Sequence, residues 1–326
     1  MTSPETLGSL GESQVLARIF PRLPAAAAEL LGPGDDAAVV AAPDGRVVIT
    51  TDMLVHGPDF RLAWSTAHDL GWKAAASNLS DIAAMGAVPT ALVVALAAPV
   101  DTGIDFLEQF ADGLRDGCHA LSPGCGVVGG DLSVSDTLTI AVTAFGDLEG
   151  RAPVTRAGAR VGDVVAVSGV LGAAAQGLAL LFASAPAPDA AAAAALRREH
   201  PAAVAAQLTP RPPIADGRAA ARAGATAMLD LSDGLAIDAR RLARASAVAL
   251  DLSAVEVARG SAAPTLALDG GEDHSLLATF PPGIALPGGF RAIGTVVAGE
   301  GVLVDGVPYL ERSGWDPYAG WDGAAG

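Results

Sequence analysis

Apolar positions recur along this chain in two rhythms. Leu10, Val15, Leu16, Ile19, Leu23 and Leu30 have rough helical spacing, which predicts a helix over 8–31 interrupted by Pro21 and Pro24. Short apolar runs at Ala37–Ala42 and Val47–Thr51 flank Pro43-Asp44-Gly45-Arg46, a strong turn signal, and predict a hairpin. Thr66 to Met85 reads as a helix ended by Gly86, and Asp105–Ala120 as an amphipathic helix. Strands are predicted at Ala91–Ala98, Gly126–Val128 and Thr137–Phe145. The order β, β, α, β, α, β, β implies a mixed sheet with helices on one face. A boundary near Gly146–Arg151 divides the chain into units 1–149 and 150–326. In the second, strands at 163–168, 225–231, 249–252, 276–280, 292–297 and 301–304 alternate with helices at 173–182 and 234–246. Residues 183–208 are Ala- and Pro-rich and carry little pattern, so a surface helix with a linker is expected. The fold class is α/β (α+β) in two domains.

Several apolar runs stop at small-residue turns carrying aspartate: Gly34-Asp35-Asp36, Thr50-Thr51-Asp52, Asn78-Leu79-Ser80-Asp81, Gly129-Gly130-Asp131 and Asp230-Leu231-Ser232-Asp233. Mg²⁺ takes oxygen ligands, commonly one or two carboxylates with substrate phosphate completing the shell. Five such turns point to a nucleotide-handling site with several metal ions. Each motif alone has a plainer reading. Ser232 or Asp233 can cap a helix, at about 1 kcal/mol, and Gly-Gly-Asp can be only a turn. Asp81 lies near a helix C-terminus, where the dipole disfavours a carboxylate, and therefore calls for a cationic partner. Carboxylates ~4 Å apart, as Asp35 and Asp36 can be, repel by about 1 kcal/mol in water and nearer 4 at an effective dielectric of 20. Arg156, in Thr155-Arg156-Ala157-Gly158, can brace a phosphate or cap a turn; Glu272, in Gly270-Gly271-Glu272-Asp273, can bind a polar group or stay solvated; Trp315 can pack or stack on a ring.

Composition narrows the partners. A chain of 326 residues, just over half apolar, has material for a large core and two domains. Its net charge of −16 argues against nucleic acid or an anionic membrane surface, whereas anionic nucleotides remain suitable if metal ions bring positive charge. Arg supplies nearly all the basic residues, and Lys73 is the single lysine. Cys118 and Cys125 form no CxxC and read as reduced thiols. The N-terminus has no signal-peptide pattern and no apolar stretch approaches ~20 residues, so a soluble cytoplasmic protein is expected.

Absent motifs narrow the chemistry. There is no GxxxxGK[S/T], no HRD or DFG, no HExxH and no GxSxG, so phosphoryl transfer here has to run on metals and positioning.

In order, GDDAA, TTDMLV, NLSDIAAMGA, GGD, TRAGARVGD, LDLSDGL and GGEDHSL resemble the thiamine-monophosphate kinase family, from about residue 8 to 318. That family sits in the aminoimidazole-ribonucleotide synthetase superfamily. The resemblance implies an N-terminal domain that dimerises through a shared β-barrel, a C-terminal domain closing a cleft, and ATP with several Mg²⁺ ions converting thiamine monophosphate to the diphosphate. It assigns metal binding to Asp36, Thr50, Thr51, Asp52, Asp81, Asp131, Asp230 and Asp233, with Asp131 and Asp233 as catalytic. It assigns ATP contacts to Gly130, Asp131, Arg156 and Ser232, and substrate contacts to Asp59, Glu272 and Trp315. Three positions depart from the family pattern: Asp59 stands where His is common, His274 where Tyr follows GGED, and Pro317-Tyr318 closes the Gly314-Trp315-Asp316 motif. All three are expected on the substrate side. Alternatives are another ATP-dependent superfamily member with a different acceptor, or a nucleotide-binding dimer without kinase activity. Selenophosphate synthetase lacks support because no N-terminal Cys with a nearby Lys exists, and the hydrogenase-maturation protein because the C-terminus holds no Cys.

Overall fold

The structure is a computed structural model that describes residues 5–10, 12–32, 37–184, 189–259, 261 and 263–311. Asp35, Asp36, Trp315, Pro317 and Tyr318 lie outside the described residues.

The chain opens with short helices α1 (Leu7–Leu10) and α2 (Glu12–Ile19), then strands β1 (Glu29–Leu31), β2 (Val39–Val40) and β3 (Val48–Val55). The single helix expected over 8–31 is therefore broken. Phe20–Arg22 makes one 3-10 turn with Pro21 as its second residue, and Leu23 is extended (ψ 145°), as a residue before proline must tend to be. The expected hairpin is also corrected. β2 pairs with β1, while β3 pairs along its whole length with a distant strand. The local turn exists: Asp44 accepts from the Arg46 backbone N–H at 2.9 Å and pairs with its guanidinium at 2.6 Å. It bends the chain without setting the flanking runs in register.

Helix α3 (Ala67–Ala84) follows the expected bounds because both ends are coded locally. Thr66 and Asp69 form a capping box, Asp69 Oδ2 accepting the Thr66 N–H at 2.8 Å. Gly86 takes the left-handed conformation (φ 73°) that ends the helix. Then come β4 (Val88–Ala98), α4 (Ile104–Leu121), β5 (Gly126–Val134) and β6 (Thr139–Asp147). They build a four-stranded sheet in the order β3-β6-β4-β5, leaving β3 and β5 as its edges. α3 and α4 cover one face, burying Leu70, Leu79, Ile82, Leu92, Leu107, Leu114 and Ile140. On β3 the residues alternate between half-buried and exposed, so Ile49, Thr51 and Met53 stand on the uncovered side.

The second part comprises β7 (Val164–Ser168), α5 (Ala173–Ser184), α6 (Ala190–Glu199), α7 (Pro201–Leu208), α8 (Ile214–Arg222), β8 (Ala227–Leu231), α9 (Leu235–Ser246), β9 (Ala249–Leu252), α10 (Ala254–Ala258), β10 (Ser275–Phe280), β11 (Arg291–Val297), β12 (Gly301–Val304) and β13 (Val307–Pro308). Its seven-stranded sheet runs β13-β12-β9-β11-β7-β10-β8. Alternate residues face two cores: Leu229, Leu231 and Leu277 pack under α9, while Met228, Leu276 and Phe280 pack with Ala220 of α8 and Ala84 at the end of α3. The Ala-rich stretch is more ordered than its composition implied. α6 and α7 join α5 around buried Trp64, and Arg197 of α6 pairs with Asp69 and donates to the Trp64 carbonyl at 2.7 Å. α3 thus touches both sheets, with Trp72 Nε1 donating to the Pro210 carbonyl at 2.7 Å and Ser80 Oγ to the His274 carbonyl at 3.2 Å. Among the described residues, no helix is long and apolar enough to cross a membrane.

Candidate active site

Three of the five acidic turns, those carrying Asp52, Asp81 and Asp230, gather where α3 meets the second sheet. Thr50 on β3 donates its hydroxyl to Asp81 Oδ2 at 2.8 Å. Asp230 at the end of β8 is buried and lies 3.4 Å from His274 Nδ1. Burial raises the Asp81 carboxyl, and nearby Asp230 and Asp52 push it further, to about 7. Burial also raises Asp52, with Asp230, Glu272 and Asp59 adding to it against the opposing effect of His274. Among the described residues no cationic side chain pairs with Asp81; its hydrogen-bond partner is the Thr50 hydroxyl, and the repulsion among Asp52, Asp81 and Asp230 is not fully compensated. Arg156 lines the same cavity as Thr50, Asp81 and Asp230.

This donor set fits a divalent cation: three carboxylates in a cleft, mutually repelling, with an arginine on the rim. Among the described residues, no three His, Cys, Asp or Glu side chains converge tightly enough to cage an ion alone. Mg²⁺ does not require such a cage, since it keeps waters and shares its shell with phosphate. The raised Asp81 carboxyl gives a measurable consequence. A carboxyl lifted from 3.8 to about 7 contributes stability that is fully present below the lower value and lost as pH rises through the upper one. Thermal stability of the metal-free protein is expected to fall between about pH 4 and 7. Millimolar Mg²⁺ with a non-hydrolysable ATP analogue is expected to restore roughly 2–4 °C at pH 8 and far less at pH 5, read by calorimetry.

The other predicted residues fall into separate places. By register Asp131 pairs with Ala95, which pairs with Ala141, which pairs with Met53; it is therefore level with Met53, about 14 Å across the sheet. Asp131 and Thr51 belong to the uncovered face, whereas Thr50 and Asp52 belong to the α3 side. Thr51 gives its hydroxyl to the Val142 carbonyl at 2.9 Å. Gly129, Gly130 and Asp131 border an apolar cavity walled by Phe20, Val94, Leu107 and Phe110. A Cβ on Gly130 would lie 2.0 Å from the Val94 carbonyl oxygen, so glycine here is required by strand packing whatever else it does. Asp233 pairs with Arg241 at 2.5 Å. The cap expected from Ser232 or Asp233 is supplied instead by Asp238, whose Oδ2 accepts from the Asp233 and Gly234 N–H groups at 3.0 and 3.2 Å. The Ser232 carbonyl accepts from the Glu272 N–H at 2.8 Å, holding the two motifs together.

A third cavity brings Asp59 and Glu272 together with Lys73, Trp64 and Phe182. Burial raises Glu272 less than Lys73 and His274 lower it, so its net shift is downward, and it forms an ion pair with Lys73. Asp59 Oδ2 accepts from the Val55 N–H at 2.7 Å, and burial raises its carboxyl. Asp273, next in the motif, serves α5 by accepting from the Gly172 and Ala174 N–H groups at 2.5 and 2.8 Å. His274, expected on the substrate side, is instead buried against Asp230; burial lowers it, but Asp230 and Glu272 outweigh that and raise it. Lys73 escaped sequence reasoning as a site residue. Its one signal was being the sole lysine, inside an otherwise small and apolar helix.

A fold of two α/β sheets meeting over an acidic cleft defines a class. Residues 34–148 match the family model described as AIR synthase related protein, N-terminal domain. Within that class the relatives are specific. The chain is 45% identical to the thiamine-monophosphate kinase of Mycobacterium tuberculosis, covering 98% of this chain and 93% of that one. It resembles the crystal structure of thiamine-monophosphate kinase from Stenotrophomonas maltophilia K279a with a TM-score of 0.75, at 31% identity, covering 91% of this chain and 96% of that one. AaThiL complexed with AMPPCP and TMP is 33% identical, TM-score 0.70, over 86% of this chain and 90% of that one. The chain belongs to the thiamine-monophosphate kinase family.

Proposed function

We propose that this protein transfers the γ-phosphoryl group of ATP to thiamine monophosphate, giving thiamine diphosphate and ADP by direct in-line attack. The observation carrying this reading is the cluster of Asp52, Asp81 and Asp230 with Thr50 and Arg156 in the cleft, in a chain of this family. Metal ligands are Thr50, Asp52, Asp81 and Asp230 around the cleft, with Asp36, Thr51, Asp131 and Asp233 assigned by family position. Held by these residues, Mg²⁺ would supply positive charge against the negative charge that two phosphates bring together. The acceptor oxygen is already ionised, so no strong general base is needed, and the protein's task is alignment. Arg156 braces a phosphate from the rim. The apolar cavity beside Gly130 and Asp131 has the walls a purine base requires, and Ser232 lies by the triphosphate. Asp59 and Glu272, with Trp315, receive the thiamine moiety, whose thiazolium ring is cationic and suited to carboxylates. Asp131 and Asp233 act as the catalytic carboxylates.

We read 1–149 and 150–326 as two domains, a reading supported by the two sheets lying on either side of that boundary. A homodimer belongs to the same reading. β3 and β5 are unpaired sheet edges, and Ile49, Met53 and Val134 on them are 60%, 59% and 60% exposed. Exposed apolar edges are normally paired or covered. Two such sheets closing into one barrel would satisfy both edges and enclose the face bearing Thr51 and Asp131. Light scattering should return twice the 32.3 kDa chain mass; a monomer at micromolar concentration removes the barrel. A cytoplasmic location fits this chemistry, since ATP and Mg²⁺ are supplied there.

The test of the reaction is acceptor-dependent turnover with ATP and Mg²⁺, separating thiamine species by chromatography. Thiamine diphosphate with one ADP per turnover supports the kinase. ATP binding without diphosphate formation would instead favour the nucleotide-binding dimer.

A further inference from the structure

Four buried side-chain polar atoms among the described residues lack a hydrogen-bond partner: Asn78 Oδ1, Arg151 Nε, Gln207 Oε1 and Arg291 Nη2. Of these residues, Gln207 borders the cavity that holds Asp59 and Glu272. It comes from α7, in the Ala-rich stretch that carried no motif. Its side chain is only 5% exposed, and its backbone carbonyl accepts from Lys73 Nζ at 3.3 Å. A buried amide oxygen with no partner is costly and calls for an explanation.

The cavity joins charged and aromatic walls. Asp59 and Glu272 are close enough to the cluster for their charge to raise Asp52. The same lining includes Trp64, Leu178, Phe182 and Leu208, with Trp64 and Phe182 edge-to-face at 4.9 Å. Arg61 lies over both rings, 4.7 and 4.9 Å from their centres, and locks that corner. A phosphorylated acceptor must turn its phosphate to the cluster, so its rings occupy this cavity, which Gln207 borders. A primary amide places one acceptor beside one donor. An amino group beside a ring nitrogen presents the complement, as adenine does to glutamine in nucleic-acid recognition. Thiamine carries that arrangement on its aminopyrimidine ring.

Resting on the kinase reading above, we propose that the Gln207 side-chain amide is a specificity-determining group of the acceptor pocket, pairing with the amino group and adjacent ring nitrogen of the pyrimidine. Lining the acceptor cavity beside Lys73, it binds the acceptor without touching the reacting atoms.

The experiment compares thiamine monophosphate with its analogue bearing hydrogen in place of the pyrimidine amino group, on the wild-type protein and on Gln207→Met. Wild-type turnover of thiamine monophosphate tests the kinase reading by itself. With that in hand, the wild type should use the deaminated analogue with roughly tenfold or more lower kcat/KM. Gln207→Met should raise KM for thiamine monophosphate by a similar factor, leave KM for ATP unchanged, and bring the two acceptors close to parity. A merely structural role for Gln207 would weaken both acceptors together and preserve their ratio, which overturns the proposal. Equal use of both acceptors by the wild type overturns it as well, even if the variant fails to fold.

Discussion

Asp81→Asn should make the metal-free protein more stable at pH 8 while lowering kcat by about 10²–10³-fold. The two effects have one cause. Asp81 sits half-buried among Asp52 and Asp230, and its carboxyl is raised to about 7, so at pH 8 its ionised form is held against burial and like charge. Asparagine keeps the oxygen that accepts from Thr50 and removes the charge. The repulsion disappears, and with it a ligand for the cation that neutralises the transferring phosphoryl group. Stability gained together with activity lost marks a functional carboxylate, because residues retained for packing give the opposite pairing. The loss of stability between about pH 4 and 7 should also flatten in this variant. Calorimetry with and without Mg²⁺, alongside steady-state turnover, measures both. A variant that is destabilised and nearly as active would remove Asp81 from the metal set.

Asp131→Asn is expected to lower turnover by a comparable factor with little change in melting temperature. Asp131 is exposed on the edge strand β5, so the fold does not depend on its charge. Its position beside an apolar cavity is poorly explained by base binding, which has no use for a carboxylate. A cation bridging to phosphate explains it better, and the Mg²⁺ concentration for half-maximal rate should rise. Asp131 lies across the sheet from the cleft cluster, so light scattering belongs in the same experiment. Near-normal turnover in an intact dimer would take Asp131 out of the chemistry; loss of the dimer would transfer its role to assembly.

How much of this was legible in sequence depends on how local the determinant is. α3 was readable because Thr66, Asp69 and Gly86 write its two ends within one turn of each. The partner of β3 was not, because Thr50 meets Ala144 and no nearby turn encodes so distant a register. The aspartates suggested a cation site through residue type alone. Their division between two faces of the sheet could not be read, since a motif string carries no parity until strands are paired. α6 and α7 were invisible for another reason. Alanine suits a helix yet gives almost no polar–apolar contrast, so neither the docking of Arg197 on Asp69 nor the place of Gln207 left a pattern. His274 moved from the substrate side to the side of Asp230 because the positive φ of 71° at Glu272 and 50° at His274 turns consecutive residues to different sites.

Lys73 is the only lysine of the chain, is buried to 3% exposure, and is ion-paired with Glu272. Every other primary amine in the sequence is the N-terminus itself. An amine-directed reagent therefore has one internal target, and can reach it only when the pocket opens and Glu272 lets go. The rate of modification at Lys73, read by mass spectrometry, becomes a built-in clock for pocket opening, and a ligand that seats there should slow it.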